Sequence, residues 1–151
     1  MKTFLGLVVS LLFLSCNGSK QDAAINSAVQ KFFKDYSDFR KPVIAGDLDS
    51  TLIYWVKASP MLTGGYKKQF EKEIIRAREA DPEMGLDYDP IFNAQDIPEK
   101  GFGVSNLEII GNRATVIVIA VDWPDHPINV ALVKSNDQWL INGIGNIRAT
   151  D

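Results

Sequence analysis

The chain has 151 residues, with 16 Lys and Arg against 19 Asp and Glu and a formal net charge of −3 at pH 7. This length suits a single domain that can bury a core without disulfides or metal. The basic residues alternate with acidic ones, which argues against a nucleic-acid partner, because phosphate binding requires clustered Lys and Arg. A single His and a single Cys also argue against a His-based zinc site.

The N-terminus has the pattern of a lipoprotein signal peptide. Lys2 precedes an apolar run from Phe4 to Leu14 that is too short to span a bilayer, and Ser15 stands just before the only cysteine, Cys16. The residues before Cys16 resemble the relaxed lipoboxes of Bacteroidota-type lipoproteins. We therefore predict a signal peptide over residues 1–15, a lipidated tether over residues 16–21 and one domain over residues 22–151.

Lipidation of Cys16 would anchor the protein to a membrane, because two or three acyl chains bind a bilayer durably. Asn17 follows the cysteine, whereas an Asp there would resemble an inner-membrane retention signal. We expect a bacterial cell-envelope protein at the outer membrane, and the sequence fits attachment to either its periplasmic or its surface leaflet. The alternatives are a free cysteine behind an ordinary secretory signal and an apolar N-terminal helix that the protein retains.

The first half of the domain has helical spacing of its apolar residues. A first helix is predicted from about Asp22 to Phe39, with Ser19 and Asp22 as a capping box, and a second from Asp47 to Lys57. Ser59-Pro60 has the pattern of an N-cap and a first helical residue. A third helix is then expected, interrupted or restarted at Gly64-Gly65 and ending near Pro82.

The second half has the alternation and β-branched content of strands. Four antiparallel strands in a meander are predicted between Val104 and Ile147, with breaks at Gly111-Asn112, Pro124 to Pro127 and Ser135 to Asp137. This order of elements predicts an α+β fold in which N-terminal helices pack on a curved four-stranded sheet.

The second predicted strand, Ala114 to Val121, is apolar on both faces. The helices can cover the face that carries Val116 and Val118. The opposite face, with Ile117 and Ile119, then needs a loop, a partner subunit or an apolar ligand.

Several segments resemble a known family. They are Asp89 to Asp96, Phe32 to Tyr36, Leu132 to Lys134 and Gln138 to Ile141. Together they resemble the domain of unknown function 3828 family of bacterial lipoproteins and exported proteins. The resemblance implies a cystatin-like, nuclear transport factor 2-like fold, and it implies no established chemistry and no catalytic residues.

A pocket is expected in the cone between the helices and the concave sheet. The aromatic and polar residues predicted to line it are Tyr36, Trp55, Asp89, Phe92, Gln95, Asp96 and Trp139. The acidic loop around Asp89 lacks the glycine and glutamate positions of an EF-hand, so we predict no metal site there and no cofactor. The lone histidine, His126, is expected in an exposed turn without a functional role.

These observations favour a non-enzymatic binding module for a small apolar ligand or an envelope protein. One alternative is a small isomerase or hydrolase that uses Asp89 or Asp96 as a buried general base of raised pKa. Another is a homodimeric structural envelope protein whose sheets pack face to face.

Overall fold

A computed structural model describes residues 16–42 and 47–150, so the predicted signal peptide lies outside the described residues. Three helices come first, and they are α1 Cys16–Arg40, α2 Leu48–Ala58 and α3 Gly64–Ala80. Five strands follow, and they are β1 Phe102–Ile110, β2 Arg113–Ala120, β3 Trp123–Ser135, β4 Gln138–Ile144 and β5 Ile147–Arg148. The strands form one antiparallel sheet in chain order, so the predicted α+β arrangement is confirmed, with five strands in place of four.

Helix α1 begins at Cys16, six residues before the predicted start near Asp22. The segment 16–21, which we predicted as a tether, is therefore helical. It contains no proline, and Lys20 and Gln21 are good helix formers, so the helix extends past the predicted capping box despite Gly18. The predicted apolar stripe of this helix is buried at Ile25, Val29, Phe32, Phe33 and Tyr36.

The start of α2 is as predicted, but the segment after it is not. Ser59 is the C-cap of α2, where its backbone N–H donates to the carbonyl groups of Trp55 and Val56, so the prediction that it begins a helix is wrong. The N-cap of α3 is Thr63, whose hydroxyl accepts a 3.1 Å hydrogen bond from the Tyr66 amide. The hydroxyl of Thr63 also donates to Asn142 Oδ1 of β4 at 2.6 Å, which fixes the α2–α3 connection to the sheet.

Two tight turns of the sheet lie at Gly111-Asn112 and at Asn136-Asp137, as predicted, and the turn between β2 and β3 lies at Val121-Asp122. Pro124 to Pro127 was predicted to break the sheet, and this is wrong, because these residues lie inside β3. The β2–β3 register passes from Val118↔Ile128 to Ala120↔Trp123, so the proline-containing residues bulge out of the ladder. Proline is tolerated at such a position because no ladder hydrogen bond is required of it.

Strand β2 separates a buried face from a partly exposed one. Its inner residues, Ala114, Val116, Val118 and Ala120, are at most 4 % exposed and pack under the helices. On the outer face Ile117 and Ile119 are half-buried, and Val121 just beyond the strand is 67 % exposed. The helices therefore cover one face, as the sequence predicts. Among the described residues, no helix has the length and apolarity needed to cross a bilayer.

Candidate functional site

Aromatic side chains fill the cone between α1, α2 and the sheet. The ring centroid of Tyr36 lies 5.0 Å from that of Trp55 and 5.1 Å from that of Phe92. Phe92 also stacks on Phe102 at 5.9 Å, and Phe33 lies 5.3 Å from Phe102. Tyr36, Phe33 and Phe92 have no exposed surface. Two of the predicted pocket residues, Tyr36 and Phe92, therefore belong to the packed core.

Asp89 lies at one edge of this aromatic cluster, and its carboxylate accepts four hydrogen bonds. Oδ2 accepts from the Tyr36 hydroxyl at 2.7 Å and from Arg40 Nε at 2.8 Å. Oδ1 accepts from the backbone amides of Ile91 at 2.9 Å and Phe92 at 3.0 Å. A carboxylate offers about four lone-pair positions, so all of them are used. Asp89 therefore joins α1 to the loop before β1, and it has no position left from which to accept a substrate proton.

The charge of this carboxylate acts on two buried tyrosines. Burial, followed by the negative charge and the hydrogen bond of Asp89, raises the pKa of Tyr36 well above its ordinary value. Burial, and then the charge of Asp89, also raises the pKa of Tyr66. Both hydroxyls therefore stay protonated at neutral pH, and neither can act as a phenolate base.

The other predicted pocket residues do not meet in one place. Gln95 and Asp96 are exposed, so Asp96 is not a buried base. Trp55 packs against Phe32 and Tyr36 with one side and lines a surface depression with the other. Trp139 is buried on β4 and borders a different depression beside α1.

His126 does not lie in the exposed turn that we expected. It is half-buried in β3, and its Nε2 lies 3.0 Å from the Phe92 carbonyl oxygen. Its ring meets Trp123 edge-on at 5.9 Å between centroids. These contacts tie the start of β3 to the loop that carries Asp89, which is a structural role.

An open groove of about 750 Å³ lies between α2, α3 and the loop that follows α3. Its apolar side chains come from all three segments, and they are Leu48, Ile53, Ile74, Ile75, Met84 and Leu86. Ile74 is buried at the floor, whereas Leu48, Ile75 and Met84 are 36 %, 46 % and 62 % exposed. The groove thus presents apolar surface to solvent in a concave place.

Arg78 holds the walls of the groove together. Its guanidinium contacts Asp49 Oδ2 at 2.7 Å, which joins α3 to the first turn of α2. Its Nη1 donates to the Pro82 carbonyl at 3.1 Å. Gly85 has φ +66°, which favours glycine, and a Cβ there would lie 3.1 Å from the guanidinium, so a larger residue would displace Arg78 slightly. These contacts position the loop that carries Met84.

A smaller cavity of about 150 Å³ adjoins the groove. The two share the side chains of Leu48, Asp49, Ile74 and Leu86. The far side of the cavity is lined by polar and aromatic residues, namely Arg40, Asp87, Tyr88, Asp89 and Gln95. The apolar groove therefore adjoins a smaller, charged cavity, and two predicted pocket residues, Asp89 and Gln95, line that cavity.

The sequence predictions missed the groove itself. One signal is Ile75, an apolar residue that falls outside the helical spacing of Tyr66, Phe70 and Ile74 on α3. A second signal is Met84, a large apolar residue in a polar loop. In the described part of the chain, no three His, Cys, Asp or Glu side chains come close enough to hold a metal ion.

No protein-family model, curated protein or solved structure matches this chain.

Proposed function

We propose that this protein is a lipid-anchored, non-enzymatic binding module of the bacterial cell envelope, which takes a small apolar ligand in the groove between α2 and α3. The exposed apolar surface of that groove carries the proposal. Of the six large apolar side chains that are exposed in the described residues, Leu48, Ile75 and Met84 line this one groove. Apolar surface gathered in a concave site is typical of ligand binding, whereas scattered apolar residues need no explanation.

The volume of the groove suits this function. About 750 Å³ lies within the range of sites that hold small organic ligands, roughly 300–1,000 Å³. Transfer of an alkyl chain from water to such a surface contributes about 0.8 kcal/mol for each buried CH₂ group. The Arg78–Asp49 ion pair spans the walls, so the site is formed before a ligand arrives.

The geometry gives no support to the enzymatic alternative. The carboxylate of Asp89 is fully hydrogen-bonded, and Asp96 is exposed to solvent. A general base needs a free lone pair within reach of the substrate proton. We therefore keep the binding function alone.

The anchor and the family membership are parts of the same proposal. The pattern from Lys2 to Cys16 supports a lipoprotein signal, and lipidation at Cys16 would attach the chain to a membrane. Asn17, where an inner-membrane retention signal would have Asp, favours the outer membrane. The helices followed by an antiparallel sheet are compatible with a cystatin-like, nuclear transport factor 2-like fold and with the resemblance to domain of unknown function 3828.

Binding in the groove is tested with Nile red, a neutral apolar dye whose fluorescence rises in an apolar site. We expect the purified chain to bind it, and Ile75→Ser to weaken binding by about fivefold, because apolar contacts are lost from the groove wall. Ile110→Ser is the matched control, since Ile110 is an exposed isoleucine on β1, remote from the groove. Equal affinity in the two variants, or no binding by the unchanged chain, would refute the groove as the site.

The anchor is tested with Cys16→Ser. In bacterial cells that make the protein, we expect the unchanged chain to enter the detergent-rich phase of a Triton X-114 extract and to carry the mass of a diacylglyceryl group. The serine variant should enter the aqueous phase or remain unprocessed, because it lacks the thiol that is alkylated. Identical partitioning of the two, with no lipid mass on Cys16, would exclude lipidation.

A further inference from the structure

Negatively charged side chains outnumber positively charged ones around the groove. Five carboxylates and two guanidinium groups line the groove and the adjoining cavity, and they are Asp47, Asp49, Glu79, Asp87, Asp89, Arg40 and Arg78. Each arginine is already paired within the site, Arg78 with Asp49 at 2.7 Å and Arg40 with Asp89 at 2.8 Å. The positive charges are therefore neutralised where they lie.

Three carboxylates remain, those of Asp47, Glu79 and Asp87, and none of them forms an ion pair within the described residues. All three are exposed and form the rim of the site, Asp47 and Glu79 on the groove and Asp87 on the adjoining cavity. A hydrogen bond from the Ser50 hydroxyl lowers the pKa of Asp47, so this carboxylate stays charged. Glu79 also borders a neighbouring depression whose cationic residues are Lys68, Lys72 and Arg76, which makes Asp87 the least screened of the three.

We infer that the ligand of the groove is an amphiphile with one apolar chain and one positively charged headgroup, such as a primary or quaternary ammonium. The apolar wall and floor of the groove suit the apolar chain of the ligand, and the rim carboxylates attract a cation and repel an anion. Tyr88 lines the adjoining cavity together with Asp87, and its aromatic ring can add a cation–π contact with the headgroup. The inference rests on the proposed function and names its ligand class.

The test uses three probes with the same ten-carbon alkyl group and different headgroups, namely decylammonium, decanol and decanoate. Each probe is titrated, at concentrations where it is dissolved as a monomer, into the purified, ¹⁵N-labelled protein. The backbone amide chemical shifts of Leu48, Ile75 and Met84 report binding in the groove. We expect decylammonium to bind about tenfold more tightly than decanol, and decanoate most weakly, because each exposed carboxylate changes affinity by about twofold to threefold.

The preference should also depend on salt and on Asp87. In about 1 M NaCl the Debye length is about 3 Å, so decylammonium and decanol should bind almost equally. Asp87→Asn should lower the affinity for decylammonium by about twofold to threefold and leave decanol unchanged. Asp125→Asn removes an exposed carboxylate on β3, remote from the groove, and should change neither affinity.

The outcomes separate this inference from the function on which it rests. If decanol and decylammonium bind equally in low salt, or decanoate binds most tightly, the cationic headgroup is wrong and the apolar groove stands. If none of the three probes shifts the groove amides, the binding function fails and the inference fails with it.

Discussion

Asp89→Asn is expected to lower the free energy of unfolding by about 3–5 kcal/mol, because it breaks a buried ion pair and leaves one charge uncompensated. The Asp89 side chain is 1 % exposed and that of Arg40 is 13 % exposed, so solvent screens the pair very little. The new amide group of asparagine would also point its own donors at the donors of Tyr36 and Arg40, or at the amides of Ile91 and Phe92. Whichever way the asparagine side chain is oriented, it therefore loses the hydrogen bonds of one of these two pairs of donors.

Urea denaturation followed by circular dichroism measures this loss as a lower midpoint at unchanged slope. Asp87→Asn is the matched control, since Asp87 is exposed two residues earlier and should change stability by no more than about 0.5 kcal/mol. Similar midpoints for the two variants would mean that Asp89 does not join α1 to the loop.

Phe92→Ala is expected to cost about 3–5 kcal/mol, which is typical when a fully buried phenylalanine is truncated. Phe92 has no exposed surface and lies within 5.1 Å of the Tyr36 ring and 5.9 Å of the Phe102 ring, between centroids. If the cone were an open ligand site, the same truncation would enlarge the site at little cost to stability. The substitution therefore distinguishes a packed cone from a binding cone.

The measurement is again the urea midpoint, with Tyr54→Ala as the control. Tyr54 is an aromatic residue on α2 that is 76 % exposed, so its truncation should have an effect below about 0.5 kcal/mol. A loss below about 1 kcal/mol for Phe92→Ala would contradict the packed cone.

Local pattern was sufficient to predict most of the elements. The apolar spacing in α1, the short helix α2 and the turn at Gly111-Asn112 depend on neighbours in sequence, and each was predicted. The errors arose where a residue has two plausible local roles. Ser59 before Pro60 has the pattern of an N-cap, yet its backbone amide completes the end of α2. Pro124 and Pro127 usually end a strand, yet the bulge in β3 accommodates them.

The site could not be predicted in the same way, because it depends on contacts between distant parts of the chain. Asp89 was identified from sequence as a candidate, but its partner Arg40 is 49 residues away, and without that partner it could be taken for a catalytic base. Arg78 and Asp49, 29 residues apart, form the wall of the groove. Their residue types alone indicate only exposed helical charges. Aromatic composition could not show whether the cone is filled, since that depends on how the rings pack.

The most direct test of the binding groove is to locate a bound ligand by intermolecular nuclear Overhauser effects between unlabelled decanol and the ¹³C-labelled chain. We expect contacts from the alkyl protons to the methyl groups of Leu48, Ile75 and Met84, which line the groove. Contacts to the rings of Phe92 and Tyr36 would place the ligand in the cone, and the absence of any contact at a saturating concentration would mean that the groove is not a binding site.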